Sequence, residues 1–207
     1  MSTSLRPGAP RWCALLTIAF AAGCVRAGAT AGDGSVGLAN SSSGAVDLSS
    51  LPRASSPPVR TDRTRYVLEE DSAGIVRLTI PLRYRNGTGR TVYLPTCRGA
   101  QPPRLQKKVG DQWVVAFAPV VAFCMGVPIA IEAGETFSYT MRINAGMPGT
   151  SLMPRFSVSE VPGTYRVLWE VFAGVEGNPR QPTPVKDLLP LEWRVSNEFQ
   201  MEVGTRS

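Results

Sequence analysis

The chain has 207 residues, of which 43% are hydrophobic, 18% charged and 8% aromatic, with 18 Pro and 20 Gly. That composition suits one modest domain with unstructured flanks. There is no His, which removes Ser-His-Asp and Cys-His catalysis and the commonest metal ligand together.

Arg6 and Arg11 precede an apolar run from Trp12 to Ala22, which closes with Gly23 and Cys24. A charged head, an apolar stretch of about 7–15 residues and small residues at a cleavage point read as a secretory signal peptide over residues 1–23. The run is too short to span a membrane as a helix, which takes about 20 apolar residues. Loss of Arg6 and Arg11 takes the formal charge of +6 down by two, to about +4.

Ala21-Ala22-Gly23-Cys24 resembles the lipobox of bacterial lipoproteins, although that pattern prefers Leu where Ala21 stands. The resemblance implies cleavage before Cys24 and acylation of its sulfur by palmitate-type chains. It also implies export and a lipid anchor in the cell envelope. Val25 rather than Asp after the Cys implies outer-membrane sorting, by likeness to enterobacterial lipoproteins. Ordinary cleavage nearby, leaving Cys24 as a spare thiol, is the competing reading.

Residues 24–62 then form the expected tether. From Val25 to Asp62 the chain is rich in Ser, Ala and Gly and has no aromatic residue, so it lacks the apolar surface to offset its ordering entropy.

Fourteen of the sixteen aromatic residues lie between Tyr66 and Phe199, which assigns the folded domain to residues 63–207. Its period is two. Val76, Leu78, Ile80, Leu82 and Tyr84 alternate with polar neighbours, as do Phe137 to Ile143, Tyr165 to Val171, Leu191 to Val195 and Phe199 to Val203. Half-buried strands give this pattern. Shorter strands are expected at Thr64 to Glu69, Thr91 to Leu94, Arg104 to Val109, Trp113 to Phe117 and Pro128 to Ile131, with one short turn at Asp187 to Leu189. Asn86-Gly87-Thr88-Gly89, Gly110-Asp111, Ala133-Gly134 and Pro162-Gly163 supply the breaks. Seven to nine strands in this length predict an all-β, antiparallel sandwich of immunoglobulin type.

With Cys13 in the leader and Cys24 assigned to lipid, Cys97 and Cys124 remain. One disulfide between them is the simplest outcome outside the cytoplasm, worth about 3.5 kcal/mol by loop-closure entropy. A redox or metal site is the rival reading, without C-x-x-C spacing or His to support it.

Pro162-Gly163-Thr164-Tyr165-Arg166, Asn86 to Val92, Ala133-Gly134-Glu135 and Ser196-Asn197-Glu198-Phe199 are similar to segments of bacterial immunoglobulin-like lipoprotein domains. The bacterial intracellular proteinase inhibitor (BsuPI) family is a more distant likeness. Gly163-x-Tyr165 also resembles the tyrosine corner, in which the hydroxyl ties the entering strand to upstream backbone. Val167 stands where the immunoglobulin Cys would be. The resemblance implies a fold and a location, and many functions share that fold.

Chemistry is sparse. Glu69-Glu70-Asp71 is the one acidic run; it reads as a solvated strand end, since neighbouring residues on a strand face opposite ways, rather than as an acid–base pair. No calcium loop or phosphate-binding glycine loop occurs, and no cofactor, metal or catalytic residue is expected. Arg98, Arg104, Lys107 and Lys108 make the connection between the cysteines basic, either as solvated surface or as a contact for anionic lipid or polysaccharide. Trp113, Trp169 and Trp193 fall on apolar faces, which favours core packing over sugar stacking. The expectation is a non-catalytic envelope protein that meets a protein or glycan through loops between Leu94 and Val127. The alternative is a proteinase inhibitor presenting Arg98 to Leu105. Nucleic acid is not an expected partner.

Overall fold

The computed structural model describes residues 46–121, 126–178, 180–181 and 184–204. Backbone contacts divide the chain into Met1–Asn40 and Ser41–Ser207, and every described residue belongs to the second unit. The expected signal peptide, Cys24 and Cys124 lie outside the described residues.

Twelve strands follow in chain order: β1 Val59–Thr61, β2 Arg65–Glu70, β3 Ile75–Arg85, β4 Val92–Leu94, β5 Arg104–Val109, β6 Gln112–Phe117, β7 Ile129–Ile131, β8 Thr136–Gly146, β9 Gly163–Leu168, β10 Phe172–Val175, β11 Val185–Leu188 and β12 Phe199–Gly204. One turn of 3₁₀ helix, Leu191–Trp193, precedes β12. The fold is all-β. In β3 every second side chain from Val76 to Tyr84 is buried, which is what its alternation predicts.

Eight strands form one sheet, in the order β1-β3-β2-β12-β9-β5-β6, with β8 on the other edge of β3. The remaining four run β11-β10-β4-β7. The larger sheet folds over on itself. From β8 to β9 is four strand steps through β3, β2 and β12, or about 19 Å along a flat sheet at 4.8 Å per step. Yet the rings of Tyr139 on β8 and Trp169 just after β9 have centroids 5.2 Å apart. β2 is the crossing point: Glu69 and Glu70 pair with β3, while Arg65 to Glu69 pair with β12. The result is a sandwich whose core runs through Tyr84, Leu105, Phe117, Phe156, Tyr165, Trp169 and Phe199, all at most 2% exposed.

Several expectations are corrected. The strands number twelve, not seven to nine, among the described residues. Most pairings are antiparallel, but β2 and β12 run parallel over five residue pairs. The tether does not extend to Asp62. Val59 is fully buried, β1 pairs with β3, and Val46, Leu48, Leu51 and Ala54 pack against the core. The expected Tyr165–Val171 strand splits at Trp169, because β9 lies in the large sheet and β10 in the small one. Leu191 to Val195 is not a strand: Pro190 caps a 3₁₀ turn in which Trp193 is buried and Leu191 exposed. The expected turn at Asp187 to Leu189 is largely the end of β11.

Candidate functional site

The connection between Leu94 and Val127 is built on a tight backbone zipper. Thr96 and Ala100 form an antiparallel bridge, the Cys97 N–H donates to the Gly99 carbonyl at 2.9 Å, and Gln101 N–H to Pro95 at 2.8 Å. From the far side of the loop, Gly126 N–H donates to Thr96 O at 3.0 Å, and Thr96 Oγ1 donates to Val127 O at 2.8 Å. A Cβ on Gly126 would sit 2.3 Å from Thr96 Oγ1. Glycine is therefore required by the close approach.

Beyond the zipper, Gln101 to Arg104, Ala118, Pro119 and Val121 face Leu168 to Glu170 across a cleft of about 280 Å3. Trp169 lies at its base, 1% exposed, and its Nε1 donates to Gln101 O at 3.0 Å. Phe137 and Tyr139 flank the ring at 6.0 and 5.2 Å. At the rim, Arg104 Nη2 meets Glu170 Oε1 at 3.0 Å. Val120, beside this cleft, is 71% exposed, and Val121 and Val127 are also open.

Of the four basic residues singled out in this connection, three are exposed and one is buried. Arg98 is exposed at the tip of the zipper with φ 58°, Arg104 is in the ion pair with Glu170, and Lys108 is exposed on β5. Lys107 is a correction: it is 8% exposed, with Nζ donating to Glu160 O at 2.5 Å. Alternation along β5 puts it on the inner face with Leu105. Gly163, at φ 144°, makes the room, since a Cβ there would lie 2.8 Å from Lys107 Cε.

Trp169 and Trp193 are core residues. Trp113 is half-buried, with the Arg166 guanidinium 4.3 Å above its ring. The acidic run has structural partners. Asp71 accepts from the Ala73 and Ile75 N–H groups at 2.9 and 3.0 Å and pairs with Arg77 at 2.8 Å. The Ile75 N–H holds its carboxyl below the ordinary range, with Ala73 and Arg77 adding to the effect.

Tyr165 Oη donates to Val161 O at 2.6 Å, the contact that Gly163-x-Tyr165 predicts. Sequence reasoning treated Asn86 only as part of a turn. It is fully buried, and its side chain uses every hydrogen-bonding position it has. Nδ2 donates to Arg90 O at 2.7 Å and Ile131 O at 2.8 Å. Oδ1 accepts from Thr88 N–H at 3.1 Å and Thr88 Oγ1 at 2.7 Å.

No protein-family model, curated protein or solved structure matches this chain.

Among the described residues, no three His, Cys, Asp or Glu side chains are grouped to hold a metal ion, and no helix is long and apolar enough to cross a membrane. The site thus offers an apolar rim, one ion pair and an aromatic floor held by the backbone. Such a surface can bind by burial and shape.

Proposed function

We propose that this chain is a non-catalytic, lipid-anchored envelope protein whose immunoglobulin-like sandwich is a binding or structural module, acting through the loops between Leu94 and Val127. The observation that carries the binding role is that Val120 and Val121 at the cleft, and Val127 beside Thr96, are open apolar side chains on a backbone-zippered scaffold. Loops on a rigid frame are where recognition concentrates. The immunoglobulin likeness is supported by the Tyr165-to-Val161 bond, as in a tyrosine corner. The anchor rests on the lipobox resemblance at Cys24.

The proposal includes a Cys97–Cys124 disulfide. What supports it is that the Thr96–Gly126 bond draws together the two halves of the loop that carries both cysteines. The inhibitor alternative is not favoured. Arg104 and Leu105 are inside β5, between β6 and β9, and Arg98 has a left-handed backbone unlike an extended substrate.

Labelled palmitate is expected to enter the wild type and to be absent from Cys24→Ser. A photo-crosslinker at Val120, in intact envelopes, is expected to give a discrete adduct that excess purified protein suppresses. Palmitate persisting in Cys24→Ser would overturn the anchor; an adduct that does not compete would overturn the binding role.

A further inference from the structure

Four arginines, Arg53, Arg60, Arg83 and Arg85, line an open groove of about 690 Å3. It forms where residues 52–58 run beside the end of β3, held there by the Arg85 N–H donating to Pro58 O at 2.9 Å. All four arginines are exposed. Arg60 and Arg83 are direct cross-strand partners in the β1–β3 register, a position where like charges repel.

No carboxylate lines this groove; its other polar side chains are Ser55, Ser56 and Thr136. None of the four arginines takes part in an ion pair among the described residues. The carboxylate in the adjoining depression, Asp62, is engaged by Tyr66 and Arg63. Positive charge is therefore gathered in one concavity with nothing in the described fold to offset it. All four cations are guanidinium forks, which grip phosphate oxygens in pairs.

We propose that this groove binds the phosphates of anionic lipid headgroups in the membrane that carries the chain. For orientation the proposal rests on the lipid-anchored reading, because the groove wall at Arg53 follows Cys24 by 29 residues of sequence. A connection of that length lets the groove reach the membrane surface. A closed pocket would suit one small anion. Four cations spread along an open groove suit a surface bearing many phosphates, and basic residues next to a bilayer are drawn to such surfaces.

The test uses residues 25–207, so that neither the apolar leader nor an acyl chain contributes. It is sedimented with vesicles of phosphatidylcholine alone or with about one-third phosphatidylglycerol. Binding to the second vesicle only, and its loss in high salt, is expected. Adding Arg60→Gln, Arg83→Gln and Arg85→Gln should weaken it about tenfold or more without lowering the melting midpoint. Removing the same charge at Arg90, Arg155 and Arg180 should leave most of it.

The proposal is overturned if neither vesicle binds, if the groove variant binds like its parent, or if the two triple variants lose binding equally. It is also overturned if polygalacturonate is preferred to the vesicles, or if inorganic phosphate binds where the vesicles do not. Because the parent lacks the acylation site, failure here is separable from failure of the palmitate experiment.

Discussion

Asn86→Ala is expected to be among the most damaging single substitutions in the domain. The side chain ties the end of β3 to the Thr88–Arg90 turn and to Ile131 of β7, so it couples both sheets. Its removal deletes four hydrogen bonds, but not all of the partners lose equally. The Arg90 carbonyl keeps the Thr88 hydroxyl at 3.1 Å, and that hydroxyl keeps the carbonyl. The buried Thr88 N–H loses its acceptor and the Ile131 carbonyl loses a donor. Stranding a buried polar group costs about 1–3 kcal/mol, so two of them give about 4 kcal/mol, a large part of a typical domain's stability. Asn86→Asp should be worse, because it aims a second oxygen at two carbonyls. Urea unfolding of the purified chain, with m-values compared, is the assay. A loss below about 1 kcal/mol for Asn86→Ala at unchanged m would refute the reasoning that this network is desolvated and without substitutes.

Tyr165→Phe removes one buried hydrogen bond and strands the Val161 carbonyl; about 1–2 kcal/mol should be lost in the same assay. Alkali should destabilise the fold before any backbone chemistry intervenes. Burial raises the phenols of Tyr84 and Tyr165, and burial followed by the Asp62 hydrogen bond raises Tyr66 to about 12. A phenol raised on folding contributes stability that is whole below its unfolded value near 10 and lost as pH climbs through the folded value. The melting midpoint should therefore fall between about pH 10 and 12, and phenolate absorbance at 295 nm should rise with unfolding rather than ahead of it. Deleting residues 1–62 removes β1 and the apolar contacts of Val46, Leu48 and Leu51, so the remaining fragment should melt below the mature chain; equal midpoints would return residues 46–62 to the tether.

What could be read from the sequence was what repeats locally. Period-two alternation located β3, β8, β9 and β12, where alternate side chains go to the core, turn chemistry bracketed the shorter β2, β4, β5, β6 and β7, and Gly163-x-Tyr165 announced its own hydrogen bond. β1 escaped because three residues between Pro58 and Asp62 carry only one buried apolar side chain, Val59, too little to show a period. The break at Trp169 and the parallel β2–β12 pairing depend on partners far away in the chain, which no local pattern encodes. Leu191 and Trp193 mimic a strand, but Pro190 has no N–H to give a sheet. Among the basic residues, Lys107 reads as surface from its charge, although it shares the β5 face of Leu105, which is the inner one. The arginine groove was hidden because Arg53 and Arg60 lie in the segment assigned to the tether, and only the β1–β3 register sets Arg60 against Arg83.

The parallel pairing of β2 with β12 sets a rule for the order in which the domain can be made. β12 is an interior strand: β2 lies on one side and β9 on the other. Until residues 199–204 have emerged from the ribosome, those two strands face each other across a missing partner, and Tyr66 and Tyr165 lack the Phe199 ring that packs against both. Synthesis runs from the N-terminus, so this sheet cannot close before residues 199–204 are available.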